Sequence, residues 1–79
     1  MQISYDSKHN IAYLRFQERT PEVETIRISD SVNVDLAPDG TVYGIELLNA
    51  NEQLQGGDAG KLIVINEERG DRQEVPLGR

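Results

Sequence analysis

Apolar residues fall at every second position along most of this chain, which is the period of a half-buried β-strand and not of a helix. Ile3 and Tyr5 alternate with polar neighbours until Asp6-Ser7-Lys8-His9-Asn10, a cluster whose short polar side chains bond their own backbone in turns. The pattern predicts a strand over residues 2–5 and a hairpin turn. From Asn10 to Gln17, Ala12, Leu14 and Phe16 share one face and Ile11, Tyr13 and Arg15 the other. This two-sided strand pairs antiparallel with the first. Pro21 biases Thr20 away from helical angles, so Glu18 to Glu22 reads as a loop. Thr25 to Ile28 is a short strand with Ile26 and Ile28 inward, and Ser29-Asp30-Ser31 turns the chain into Val32 to Leu36. There Val32, Val34 and Leu36 face the core while Asn33 and Asp35 face water.

Pro38-Asp39-Gly40-Thr41 is the strongest turn signal, since proline pre-sets its own φ and the glycine accepts a positive one. It joins two strands in a hairpin. The alternation of Thr41 to Leu48 shifts near Gly44, as at a bulge or at a crossing where a β-carbon would collide. Asn49 with Glu52 three residues on reads as a capping box for a helix of one or two turns within residues 49–55. Residues 55–60, rich in glycine, form a connector, and residues 61–79 a tail strand or hairpin whose placement the pattern leaves open. The fold class is therefore mainly β, a β-rich α+β chain. It consists of a small antiparallel sheet of four to six strands built from hairpins, with at most one short helix, in a single domain over residues 1–79.

With only 79 residues, such a domain buries roughly 60–65% of its unfolded surface, so its core is thin. There is no cysteine, which removes disulfides, thiolate nucleophiles and sulfur-ligated metals and suits the cytoplasm. The first residues lack the charged and apolar regions of a signal peptide. The longest apolar run, Leu62 to Ile65, is far short of the roughly 20 residues of a membrane span. A net charge of -6 without clustered Lys or Arg argues against nucleic acid and reads first as a charged face that keeps a small protein in solution, with a basic protein partner as the alternative.

Motifs for chemistry are weak. Gly57 to Leu62 fails as a phosphate loop, with Gln55 where the first glycine belongs and Leu62 where the hydroxyl belongs. Asp30, Asp35 and Asp39 lack the close spacing of a calcium loop. The single histidine, His9, sits in a turn, and Ser7, Asp6 and His9 have no specified mutual geometry. Asp35 and Glu46 fall on the solvent face of the predicted hairpin. No catalytic residue, metal site or cofactor is assigned; Asp35, Asp39 and Glu46 are the charges to watch, Glu46 because it lies inside an apolar block without a structural job. Ile11, Tyr13 and Tyr43, with Ile63 and Ile65 of the tail, are the candidate interface, because apolar side chains on a second face ask for cover, either from the short helix and tail of the same chain or from a partner subunit.

Met1-x-Ile3-x-Tyr5-Asp6, Ile11-Ala12-Tyr13-Leu14-Arg15-Phe16 and Val34-Asp35-Leu36-x-x-Asp39-Gly40-x-Val42-x-Gly44-Ile45-Glu46-Leu47-Leu48-x-Ala50 together resemble a family of very short bacterial and archaeal proteins known only as a domain of unknown function, DUF2283. The resemblance covers about residues 1–54. It implies a small antiparallel sheet with little helix and a binding or antitoxin-like role, and it supplies no catalytic residue. The expected function is a small non-catalytic binding or assembly module, working as a homodimer or higher homo-oligomer. The alternative is a metal-assisted hydrolase using Asp35, Asp39 and Glu46.

Overall fold

The structure, a computed structural model, describes residues 1–18, 22–54 and 60–77. The predicted connector at 55–59, the loop around Pro21 and the last two residues lie outside them. Strands β1 (Gln2–Asp6), β2 (Ile11–Arg15), β3 (Glu24–Ser29), β4 (Val32–Leu36) and β5 (Val42–Leu48) form one antiparallel sheet in the order β1-β2-β5-β4-β3. A single helical turn, α1 (Ala50–Gln53), follows β5. Strands β6 (Lys61–Asn66) and β7 (Asp71–Pro76) pair only with each other, so the tail is a hairpin. The mainly β reading with one short helix is what the chain adopts.

Local chemistry accounts for the turns. At Asp39-Gly40 the glycine takes φ 87°, its N–H donates to the Ala37 carbonyl at 2.9 Å, and the Asp39 carboxylate accepts from the Thr41 N–H and hydroxyl at 3.0 and 2.6 Å. The β6–β7 turn closes the same way, with Gly70 at φ 75° donating to the Asn66 carbonyl.

Register fixes two chemically different faces, because directly opposed residues in antiparallel strands point to the same side. One row runs Ile3, Leu14, Ile45, Val34, Ile26 across all five strands, and the next runs Tyr5, Ala12, Leu47, Val32. Those rows make the apolar face. Between them, on the opposite face, runs Ser4, Tyr13, Glu46, Asn33, Arg27, flanked by Gln2, Arg15, Gly44, Asp35, Thr25.

Two expectations are corrected. Ile28, predicted to face inward, is passed over by a bulge between Arg27 and Ser29 and is 62% exposed. Asn49 does not cap α1: it sits in the left-handed region at φ 53° and makes no side-chain cap bond. The cap comes from the β1–β2 turn. Asn10, also left-handed at φ 61°, accepts the Ala50 N–H on its carbonyl at 3.0 Å and the Asn51 N–H on its side-chain oxygen at 2.5 Å. The Tyr5 hydroxyl donates to the Asn51 side chain, which places α1 on the apolar side of the sheet. There it covers one end, and Ala12 and Ala50 are fully buried.

Candidate functional site

Side-chain hydrogen bonds run between strands across the polar face. Tyr13 lies across β5 above Gly44, where any β-carbon would run into the phenol ring and come within 2.8 Å of the Leu14 carbonyl oxygen. Glycine is needed there for space. The phenol donates to Asp35 Oδ2 at 2.7 Å, and Thr25 Oγ1 donates to Asp35 Oδ1 at 2.6 Å. One row away, Asn33 Nδ2 donates to Glu46 Oε1 at 2.9 Å. Partial burial of Tyr13 and its bond to the Asp35 carboxylate, together with the negative charges of Asp35 and Glu46, push its phenol well above its ordinary value of 10.

This geometry gives each carboxylate of the face a side-chain donor. Asp35 has both oxygens committed, and Glu46 faces Asn33 instead of a second carboxylate. Asp35 pairs across the strands with Gly44 and Glu46 with Asn33, so the two carboxylates share the solvent face without being directly opposed. Asp39 is held in its turn, where the Thr41 hydroxyl and N–H lower its pKa. Among the described residues no three His, Asp or Glu side chains come together as a metal site. His9 is exposed and its Nδ1 meets Asp6 Oδ2 at 2.7 Å in the β1–β2 turn; that bond is the main reason the Asp6 carboxyl is lowered. A groove of about 250 Å³ is lined by Glu22, Val23, Glu24, Leu36, Ala37, Pro38 and Gly40, and is smaller than most small-molecule sites.

Of the candidate interface residues, Ile11 and Tyr13 are on the polar face, Tyr13 already engaged by Asp35. Tyr43 is the extra residue of a bulge opposite Asp35 and Leu36, its carbonyl accepting the Phe16 N–H at 2.8 Å. Ile63 and Ile65 share one face of the tail hairpin with Glu74 and Arg72, and Ile65 is 57% exposed. The structure does not bring the five together. What it does assemble, and single-strand reading missed, is the other side: no side chain larger than alanine is buried among the described residues, and Leu14, Val34 and Ile45 are only half-buried at the centre of the sheet.

A profile of proteins of unknown function matches residues 2–51, which run from the first residue of β1 to the acceptor of the Tyr5 hydroxyl in α1. The chain belongs to the DUF2283 family. No curated protein and no solved structure matches it. The matched region holds the whole five-stranded sheet with its Asn10 and Tyr5 ties to α1, whereas the β6–β7 hairpin lies beyond it. In this DUF2283 chain no described helix is long and apolar enough to cross a membrane.

Proposed function

We propose that this DUF2283 protein is a non-catalytic binding and assembly module whose working surface is the apolar face of the five-stranded sheet. A single observation carries the reading: two adjacent apolar rows cross the sheet, yet nothing larger than alanine on them is buried. Contiguous apolar surface of that kind marks protein contact. The polar face, with its carboxylates occupied by Tyr13, Thr25 and Asn33, is a finished surface that faces water. The chain's net charge of -6 favours basic proteins among its partners, which an antitoxin-like role would accommodate. Lack of cysteine fits work in the cytoplasm.

The test compares the two faces with a soluble paramagnetic probe in an NMR sample of the full chain. Methyl groups of Leu14, Val34 and Ile45 are expected to be shielded, and the side chains of Thr25 and Arg27 to be broadened. Equal broadening on both faces when a partner is bound, whether a second copy or another protein, contradicts the reading. So does saturable binding of magnesium, manganese or calcium confined to Asp35, Asp39 and Glu46, which would support a hydrolase.

A further inference from the structure

We propose that the Asp39-Gly40 turn is a site of spontaneous backbone isomerisation, and that Thr41 holds the reaction back while the chain is folded. Aspartate followed by glycine is the pairing most open to this reaction, because glycine has no side chain to hinder its own amide nitrogen or to restrict its backbone. Asp39-Gly40 is the one place in the sequence where an aspartate or asparagine precedes glycine. Pro38 to Thr41 are exposed in the turn between β4 and β5, so water reaches the bond.

The reaction needs no co-reactant but water. The Gly40 amide nitrogen bonds to Cγ of Asp39, the Cγ–OH bond of the protonated carboxyl breaks, and the hydroxyl leaves as water with the amide proton, closing a succinimide ring. Water then adds to one of the two ring carbonyls, and the C–N bond at that carbon breaks. Opening at Cγ restores aspartate. Opening at the main-chain carbonyl leaves Gly40 joined through Cγ, an isoaspartate with an extra methylene in the backbone.

The folded turn opposes each requirement. Asp39 Oδ1 accepts from the Thr41 hydroxyl at 2.6 Å and from the Thr41 N–H at 3.0 Å, which fixes the side chain that must swing to close the ring. Those bonds favour the ionised carboxyl and lower its pKa, whereas the leaving group must be protonated. The attacking nitrogen is engaged as well: the Gly40 N–H donates to the Ala37 carbonyl at 2.9 Å, with Gly40 held at φ 87°. Protection here matters to the whole sheet. The turn sets the β4–β5 register, which pairs Asp35 with Gly44 and Val34 with Ile45. An extra methylene in the turn would shift both the Tyr13 bond to Asp35 and the centre of the apolar face.

The experiment holds full-length chains near pH 5, about one unit above the ordinary aspartate value, in water enriched in heavy oxygen. Peptide mapping counts isoaspartate at residue 39, and label in that residue reports passage through the ring. Folded wild type is expected to isomerise about tenfold more slowly than the same chain in urea, because the turn must open first. Thr41→Val keeps the N–H and loses the hydroxyl, and is expected to raise the folded rate by about fivefold, the contribution of one hydrogen bond. Thr41→Ser is expected to restore the wild-type rate, and in urea the three chains are expected to match. Asp30-Ser31, in another turn, gauges opening of the whole chain in the same sample. A folded wild type as fast as the unfolded chain overturns the proposal. So does a Thr41→Val rate equal to that of wild type, or a gain matched by an equal one at Asp30-Ser31. If Thr41→Val loses the folded amide pattern, Thr41→Ala is read in its place, and the folded wild type against urea still decides whether the turn is protected.

Discussion

At the scale of single residues, Tyr13, Gly44 and Asp35 are one unit: the missing β-carbon of Gly44 lets the ring lie flat enough for its hydroxyl to reach Asp35. Gly44→Ala would therefore push the ring off Asp35 and crowd the Leu14 carbonyl, at a cost of about 2 kcal/mol in a denaturant titration. Tyr13→Phe keeps the ring and loses only the bond, about 1 kcal/mol for a half-buried pair. The two also differ in pH dependence. Because the folded state holds the phenol above 10, its neutral form is favoured. The stability it contributes is complete below pH 10 and is lost as pH rises from there through the folded value. Wild type is thus expected to weaken above pH 10 along a limb that Tyr13→Phe shortens, as alkaline unfolding followed by circular dichroism would register.

At the scale of elements, α1 exists through ties made elsewhere. A four-residue turn is far too short to stand alone, and its first amides are taken by Asn10, forty residues earlier in the chain. Asn10→Gly keeps the left-handed backbone and removes the side-chain cap, costing about 1 kcal/mol. Asn10→Ala adds the penalty of an alanine at positive φ, about another 1 kcal/mol. Equal stability of the two variants would show that the φ of 61° at Asn10 carries no weight. This is also where sequence reading stopped. The strands, the Asp39-Gly40 turn and the crowding at Gly44 were legible because each is written in a local period or in one residue's φ or volume. The Asn10 cap was not, since it joins a turn to a helix through a contact no spacing encodes; asparagine, the residue most tolerant of αL after glycine, was its only signal. Ile28 was misplaced for a related reason: a bulge that shifts β3 by one residue leaves no mark on a two-residue alternation. The candidate site divided in the same way. The pattern put Ile11 and Tyr13 on the second face, but that Asp35 would engage Tyr13 depends on the pairing of β2 with β5 and of β5 with β4, which the sequence does not spell out.

At the scale of the whole molecule, the sheet has the hydrophobic half of a β-sandwich without the other half. Among the described residues the buried apolar side chains are those of Ala12, Ala37 and Ala50, and burying alanines releases little of the free energy that must offset the entropy of ordering the chain. If association covers the apolar face, as the proposed assembly role requires, folding and association are coupled and stability becomes a function of chain concentration. The most direct measurement is the urea midpoint of the wild-type protein over about a hundredfold range of concentration. The account predicts a midpoint that climbs steadily with concentration, while the slope of the transition reports the surface of two chains. A midpoint that stays fixed across the range, with a mass of 8.9 kDa throughout, would contradict it.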